Sequence, residues 1–244
     1  MMTASLTDEW FKQTAIRFHD LREQYANEDP FEHVVLNDFW PKDFAEDLAD
    51  ALAEKPTNTD SWHHFVNRRE RKRATKPGKA LVGQPGIVRE ALSALNDDRF
   101  VAALADVSAT RDLVADPEYV GGGVHRIERG GMLAVHVDFN RHPTTRLFRR
   151  LNLLIYMNRD WKEEWNGELE LWARDRSRLV KRVFPHENVA VLFDTARDSW
   201  HGHPTPLACP PSRARVSLAT YYYAPEAGSQ RRRQHSTRFL EDER

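Results

Sequence analysis

Hydrophobic residues recur at helical spacing through much of the first half of the chain. After the polar residues 5–8, an amphipathic helix is predicted from the face formed by Phe11, Ala15, Phe18, Leu21 and Tyr25. A further helix is predicted in "PKDFAEDLADAL", with Pro41 in its first turn and one face made by Phe44, Leu48 and Leu52. A helix pair is predicted in "PGIVREALSALNDDRFVAALADV", where residues 96–98 end one helix and cap the next.

The second half of the chain shows the short apolar runs that are typical of strands. One extended segment, residues 34–36, already precedes the second predicted helix. From "YVGGGVHRIERGGM" onward, glycine clusters punctuate the runs "LNLLIYM", "ELELW", "VAVLF" and "VSLATYYY". Because the helices precede a series of strands and do not alternate with them, this order predicts an α+β fold or a helix-buttressed β-barrel, not a parallel sheet.

Composition limits the class of protein. At 244 residues and 40% hydrophobic content, the chain is long enough to bury the core of one large domain. The 36 basic and 37 acidic residues nearly cancel, so no overall field attracts nucleic acid or an anionic membrane. The single Cys209 excludes an intrachain disulfide, and no apolar run is long enough to span a membrane. Since the first residues also lack a signal-peptide pattern, we expect a soluble, cytoplasmic protein.

Two basic runs stand out from this balanced composition, "RRERKR" at residues 68–73 and "RRR" at residues 231–233. Such runs are mostly solvated faces or tails. No aromatic interleaving or nucleic-acid-binding module accompanies them, so contact with nucleic acid is not favoured. The remaining interpretation is that they border a substrate cleft.

The stretch "LAVHVDFNRH" carries a histidine and an aspartate, His136 and Asp138, inside an otherwise apolar run. In an extended strand, side chains two positions apart point to one face, so the imidazole and the carboxylate converge. This arrangement suits a metal ion. An isolated pair of this kind is more often a hydrogen-bonded pair that closes a strand.

A second segment, "DSWHGHPTP", adds His201 and His203. Two histidines and one carboxylate form the facial triad of non-haem Fe(II) oxygenases, although a zinc hydrolase could use the same ligands. In the following "SRARVSLATYYY", Arg215 could clamp a carboxylate at two points, and Ser217 lies on the same face. A hydrolytic zinc site needs no such clamp. Strand periodicity does not separate the two histidines as ligands.

The order of these pieces resembles the 2-oxoglutarate (2OG) and Fe(II)-dependent dioxygenases, specifically the prolyl 4-hydroxylase-like branch. The resemblance is carried by "HVD", "LNLLIYMNRDW" followed by "NGELELW", "SWHGHP" and "RVSLATYYY", and it extends to "FEHVVLNDFWPKDFAEDLADAL". It implies a mainly β protein with supporting helices, a double-stranded β-helix or jelly roll flanked by N-terminal α-helices. We expect one domain, with a helical support region and opening strand at 1–118, a catalytic core at 119–226 and a polar C-terminal tail at 227–244.

The same resemblance assigns the site residues. It implies Fe(II), 2OG and O2 as cofactor and co-substrates, with His136, Asp138 and His201 as iron ligands, and it favours His201 over His203 through "SWHG". Arg215 and Tyr156 would bind the distal carboxylate of 2OG, with help from Ser217. The alternatives are a core aromatic for Tyr156 and a surface ion pair for Arg215.

One departure from the family concerns its "GGEL" element. Here the element reads "NGEL", so Asn166 must adopt the turn conformation of a glycine.

The activity that the resemblance implies is hydroxylation of a C–H bond with release of succinate and CO2. The intact Asp138 argues against a halogenase, which needs that ligand position for chloride. The substrate class stays open between a prolyl or other protein side chain and a small metabolite, and oligomeric state is not indicated. The alternatives from other classes are a non-catalytic jelly-roll binding module and a zinc-dependent hydrolase.

Overall fold

The computed structural model describes residues 5–56, 59–195, 198–226 and 233–242. Its described α-helices all precede residue 108, and most of its strands follow residue 122. The helices are α1 (Asp8–Asp20), α2 (Arg22–Asn27), α3 (Lys42–Ala53), α4 (Gly86–Leu95) and α5 (Asp98–Val107). The strands are β1 (His33–Leu36), β2 (Trp62–Val66), β3 (Glu70–Thr75), β4 (Val114–Ala115), β5 (Gly123–Glu128), β6 (Met132–Val137), β7 (Phe148–Tyr156), β8 (Leu169–Trp172), β9 (Leu179–Val183), β10 (Val189–Asp194), β11 (His201–His203), β12 (Ala214–Ala224) and β13 (Arg238–Phe239).

The predicted helices form, with local signals at their starts, but the first one is divided at Leu21 into α1 and α2. The Thr7 hydroxyl accepts a hydrogen bond from the Trp10 backbone N–H, and this contact caps α1. The Asp97 carboxylate caps α5 in the same way, since it accepts from the backbone N–H of Arg99 at 2.9 Å. Pro41 differs from the expectation, because its ψ of 141° makes it the extended residue before α3 and not part of the first turn.

The described strands join in one antiparallel sheet that curls into a nearly closed barrel. Its main path runs β1-β10-β7-β12-β5-β3-β6-β11-β8-β9, with β2, β4 and β13 paired at the side. Neighbours along this path are mostly distant in sequence, as a jelly roll requires. The predicted fold class, mainly β with flanking helices, is confirmed.

The two faces of β7 show why the barrel has a helical layer on one side. Leu151, Leu153 and Ile155 point outward into a hydrophobic core shared with α3 and α4. Asn152 and Leu154, at the alternate positions, line the interior of the barrel. The helices thus cover the outer face, and the inner face is left for a binding cavity.

The first basic run is not a solvated tail, because residues 70–73 belong to β3, a strand between β5 and β6. Its charged residues alternate between the two faces. Lys72 is directed into the barrel, whereas Arg73 lies opposite Arg126 on the outer side. The interpretation that this run borders a cleft therefore fits Lys72.

The described part of the C-terminal segment packs against the barrel. β13 pairs with β6, so that Phe239 lies opposite His136. Asn140 binds the backbone of the residues that precede β13. Its Oδ1 accepts from the His235 N–H, and its Nδ2 donates to the Arg233 carbonyl. In the second basic run Arg233 is exposed, and residues 231–232 lie outside the described residues. None of the described helices is both long and apolar enough to cross a bilayer.

Candidate metal centre and binding cavity

Three predicted ligand side chains meet at one point inside the barrel. One potential ligand atom from each of His136, Asp138 and His201 lies within 4.8 Å of the others. His136 Nε2 is 3.5 Å from Asp138 Oδ1, and His201 Nε2 is 3.6 Å from Asp138 Oδ2. A single metal ion can therefore contact all three, which is the donor set of a facial triad.

Strand pairing produces this convergence. His201 of β11 lies directly opposite His136 of β6, so their rings face each other with centroids 4.4 Å apart. Gly202 lies between His201 and His203 in β11. A Cβ there would lie 2.9 Å from the backbone of β6, so only glycine permits the two strands to lie this close together. His203 lies opposite Leu133, further along β6, and is not part of the cluster.

Both histidines of the cluster are oriented by the same backbone contact. His136 Nδ1 lies 2.8 Å from the Ala134 carbonyl, and His201 Nδ1 lies 2.8 Å from the Ser199 carbonyl. A carbonyl only accepts hydrogen bonds, so each Nδ1 carries the proton and each Nε2 has a free lone pair. Burial, reinforced by His136, lowers the pKa of His201 to about 4, which keeps this imidazole neutral and able to bind a metal.

The Asp138 carboxylate is held through one of its oxygens. Oδ2 accepts a 2.6 Å hydrogen bond from Asn152 Nδ2 and lies 3.0 Å from Arg149 Nη1. Burial would raise the pKa of Asp138, but the Arg149 guanidinium outweighs burial and holds the pKa well below its usual range. The carboxylate is thus ionised, and its Oδ1 is the oxygen turned toward His136.

Arg149 reaches this position because of a β-bulge. In the pairing of β12 with β7, Tyr222 faces Leu151 but Tyr223 faces Arg149, so Arg150 is the extra residue. The bulge turns Arg149 to the interior, where its guanidinium lies between the rings of Phe139 and Tyr221 at 3.9 and 3.8 Å. Only 1% of Arg149 is exposed, so the aromatic rings replace water around the charge.

Arg215 is a second polar group of the same cavity, and the fully buried Tyr156 contacts it. Arg215 Nη2 donates to the Tyr156 hydroxyl at 3.2 Å, and Arg215 Nε donates to the Gly167 carbonyl at 2.7 Å. Gly167 has a φ of +90°, and a Cβ there would lie 3.1 Å from Arg215 Cδ. The preceding Asn166 has a φ of +59°, so it does adopt a left-handed conformation.

The buried Arg215 lacks a carboxylate within salt-bridge distance among the described residues. It is 4% exposed, and its two hydrogen-bond acceptors are uncharged. A buried cation without a counter-ion is costly, so this arrangement suits an anionic ligand. Ser217 lies opposite Tyr156 in the sheet and lines the same cavity, where its hydroxyl can add a hydrogen bond.

Two further histidines and three tryptophans divide between the cavity and the core. His125 does line the cavity, and its Nε2 lies 2.9 Å from the Gly121 carbonyl. His142 is instead buried beside Asp116, 3.3 Å from its carboxylate. Trp161 and Trp165 pack in a small hydrophobic cluster, and Trp172 packs beside another.

Sequence reasoning gave no individual role to three residues at or beside the cavity. Arg149 and Asn152 received no role, although a polar residue within the apolar run "LNLLIYM" was a signal for Asn152. Lys72 was one of five basic residues in the run "RRERKR". Nothing in the local sequence distinguishes Arg149 from its neighbour Arg150, because the bulge that separates them depends on β12.

Comparisons with known proteins agree with this geometry. Residues 122–223 match the sequence model of the 2OG-Fe(II) oxygenase superfamily. A search of curated proteins found no significant match.

Solved structures show the same fold at low identity. A prolyl-4-hydroxylase from Pseudomonas putida is 17% identical with a TM-score of 0.58, and the match covers 85% of this chain and 98% of that one. A Trichoplax adhaerens prolyl hydroxylase, in complex with a hypoxia inducible factor peptide fragment, is 16% identical with a TM-score of 0.59, covering 89% and 94%. HygX from Streptomyces hygroscopicus, with nickel, 2OG and hygromycin B bound, is 15% identical with a TM-score of 0.50, covering 93% and 90%. Residues 122–223 are thus similar in sequence to the 2OG-Fe(II) oxygenases, and the fold of the chain is that of the solved prolyl 4-hydroxylases.

Proposed function

We propose that this protein is an Fe(II)- and 2OG-dependent hydroxylase in which His136, Asp138 and His201 bind the iron. One observation carries the proposal: a cluster with the donor set of a facial triad shares a cavity with Arg215, a buried cation that has no carboxylate partner in the described part of the chain. The cluster suits a divalent metal, and the cation suits a carboxylate co-substrate. A zinc hydrolase would explain the first feature but not the second.

When bound, the iron supplies the redox chemistry by which O2 converts 2OG to succinate and CO2 while one oxygen atom hydroxylates a C–H bond of the substrate. The protein residues supply placement. The backbone carbonyls of Ala134 and Ser199 fix the orientation of the two imidazole rings. They leave Nε2 of each ring as the atom that binds the metal. Arg149 and Asn152 hold Asp138 Oδ2, so Oδ1 is the oxygen left for the metal.

Arg215, Tyr156 and Ser217 would orient the co-substrate. The planar guanidinium can bind the distal carboxylate of 2OG at two points, and burial makes each contact stronger than it would be in water. Burial raises the pKa of the Tyr156 hydroxyl, so this group stays protonated and can donate to the same carboxylate. Gly167 keeps Arg215 in place through its carbonyl.

The primary substrate is either a protein side chain or a small molecule. The related fold in Trichoplax adhaerens is in complex with a peptide fragment, and HygX has hygromycin B bound. Both substrate classes are therefore compatible with this architecture. We infer that the substrate approaches the open side of the metal centre, because the strands of the barrel surround its other sides.

Anaerobic titration tests the proposal. Protein loaded with Fe(II) is expected to develop a weak visible charge-transfer band when 2OG is added, because the keto acid chelates ferrous iron. Protein loaded with zinc is the control, since zinc gives no such band. If the iron protein shows no band and calorimetry detects no 2OG binding, the hydroxylase proposal is wrong, and a binding module or a zinc hydrolase replaces it. If binding is observed, succinate release in air then reports on candidate substrates.

A further inference from the structure

His203 is a buried polar side chain without a partner in the described part of the protein. It is 3% exposed, and neither Nδ1 nor Nε2 has a hydrogen-bond partner there. The imidazole always carries at least one N–H donor. A buried donor without an acceptor is costly, and such groups are usually satisfied by a ligand or an ordered water. His203 therefore requires an explanation that the protein alone does not supply.

The cavity around His203 indicates the kind of ligand. Arg215, Lys72 and His203 all line it, together with the His136, Asp138 and His201 cluster. Asp138, the one carboxylate of this lining, is already balanced by Arg149, and Lys72 is paired with Glu70. Arg215 is left without a carboxylate partner among the described residues. The walls favour an anion, and an N–H donor adds to that preference.

Lys72 extends the positive wall beyond Arg215. Its ammonium lies 3.3 Å from Glu70 and 5.3 Å from the centre of the Phe65 ring, and its side chain is only 15% exposed. It comes from β3, whereas Arg215 comes from β12, with β5 between them. The two cations therefore lie on strands that are separated by one strand, so they can face different parts of one bound anion.

We propose that His203 is a co-substrate-binding residue, which donates a hydrogen bond to bound 2OG, and that Lys72 adds positive charge on the same wall. The inference rests on the proposed function, because it assigns a new contact within the same site. In this arrangement, 2OG is contacted by His203 in addition to Arg215 and the metal. His203 is then distinct in role from His201, although the two lie in one short strand.

The test compares three substitutions of His203 in metal-loaded protein. His203→Leu removes both nitrogens at similar bulk, whereas His203→Asn and His203→Gln keep a donor near the positions of Nδ1 and Nε2. The readouts are metal content and the 2OG dissociation constant from anaerobic calorimetry with Mn(II) in place of iron. We expect His203→Leu to keep its metal but to bind 2OG about 10- to 100-fold more weakly, the loss of one hydrogen bond to a charged group. One of the two amide variants should restore most of the affinity.

Lys72→Met tests the second cation. It keeps the aliphatic length and removes the charge, and because the ammonium is already paired with Glu70 we expect a smaller loss of about two- to fivefold. His33→Leu is the matched control. His33 is also a fully buried strand histidine, but it lies in β1 beside Glu28, so its loss should leave the 2OG dissociation constant unchanged.

Each other outcome has a defined meaning. If His203→Leu keeps its metal and binds 2OG as tightly as the unmodified protein, His203 does not contact the co-substrate and the inference is wrong. If His203→Leu loses its metal, His203 is a ligand and the inference is again wrong. If Lys72→Met binds 2OG normally, Lys72 has no part in the contact. If the unmodified protein itself binds no 2OG, the proposed function fails first.

Discussion

Arg149 and Asp138 form a buried ion pair at the back of the metal cluster, with 3.0 Å between Arg149 Nη1 and Asp138 Oδ2. Arg149 is 1% exposed and the Asp138 side chain 15%, and the arginine is enclosed by aromatic rings. A carboxylate in this position would otherwise be held only by Asn152 and by neutral imidazoles. The pair thus keeps Asp138 ionised and oriented before any metal arrives.

Replacement of this arginine should weaken metal binding. Arg149→Met keeps much of the buried volume but removes the charge, so Asp138 loses the group that orients it. Loss of such a supporting contact typically costs about 10- to 100-fold in metal affinity. Competition with a chromogenic chelator under anaerobic conditions measures the change. Arg150→Met is the control. The adjacent Arg150 pairs with Asp194 at 4.0 Å, so its replacement should leave the metal affinity unchanged. If Arg149→Met binds the metal as tightly as Arg150→Met does, Arg149 does not support metal binding.

The two histidines of β11 should differ in their effect on metal content. His201→Ala removes one of three ligands and should nearly abolish metal retention, whereas His203→Ala should retain the metal. The reason is that His201 lies opposite His136, and His203 is further along the strand, by about 3.3 Å per residue. Metal analysis after dialysis separates the two variants. A metal-free His203→Ala protein beside a metal-bound His201→Ala protein would reverse the assignment.

Arg215→Lys tests the clamp on the co-substrate. Lysine keeps the positive charge but loses the planar fork and the contacts of Arg215 with Gly167 and Tyr156. We expect 2OG affinity to fall about 10- to 100-fold with little change in metal affinity. Calorimetry with 2OG and the chelator competition report the two constants separately. An unchanged 2OG constant would exclude Arg215 from the site.

A glycine substitution tests how Arg215 is positioned. A Cβ at Gly167 would lie 2.6 Å from Leu207 Cδ2 and 3.1 Å from Arg215 Cδ, so Gly167→Ala should displace the arginine and weaken 2OG binding. Gly130→Ala is the matched control, since Gly130 also has a positive φ, of +76°, but its Cβ would approach nothing closer than 3.9 Å. Both variants should lose stability to backbone strain, by about 1 kcal/mol. Only Gly167→Ala should change the 2OG constant, and equal constants would contradict the positioning role.

The sequence by itself determined the parts of the protein that depend on local periodicity. The alternation of a strand places His136 and Asp138 on one face whatever the surrounding fold. The helices α3, α4 and α5 follow from the spacing of their apolar residues and from a break with a cap at Asp97. The fold class followed because helices precede a series of strands, and the order of four short stretches indicated the family.

Only the tertiary structure decided how distant strands register against one another. Which histidine of β11 joins the cluster depends on its pairing with β6, and strand periodicity treats His201 and His203 alike. The inward turn of Arg149 depends on a bulge against β12, without which alternation would turn Arg150 inward instead. Lys72 lines the cavity because β3 lies between β5 and β6. A run of charged residues without apolar alternation does not indicate this pairing. In each case hydrogen bonds to a strand far away in sequence choose the face on which a side chain lies, so the local sequence does not contain the information.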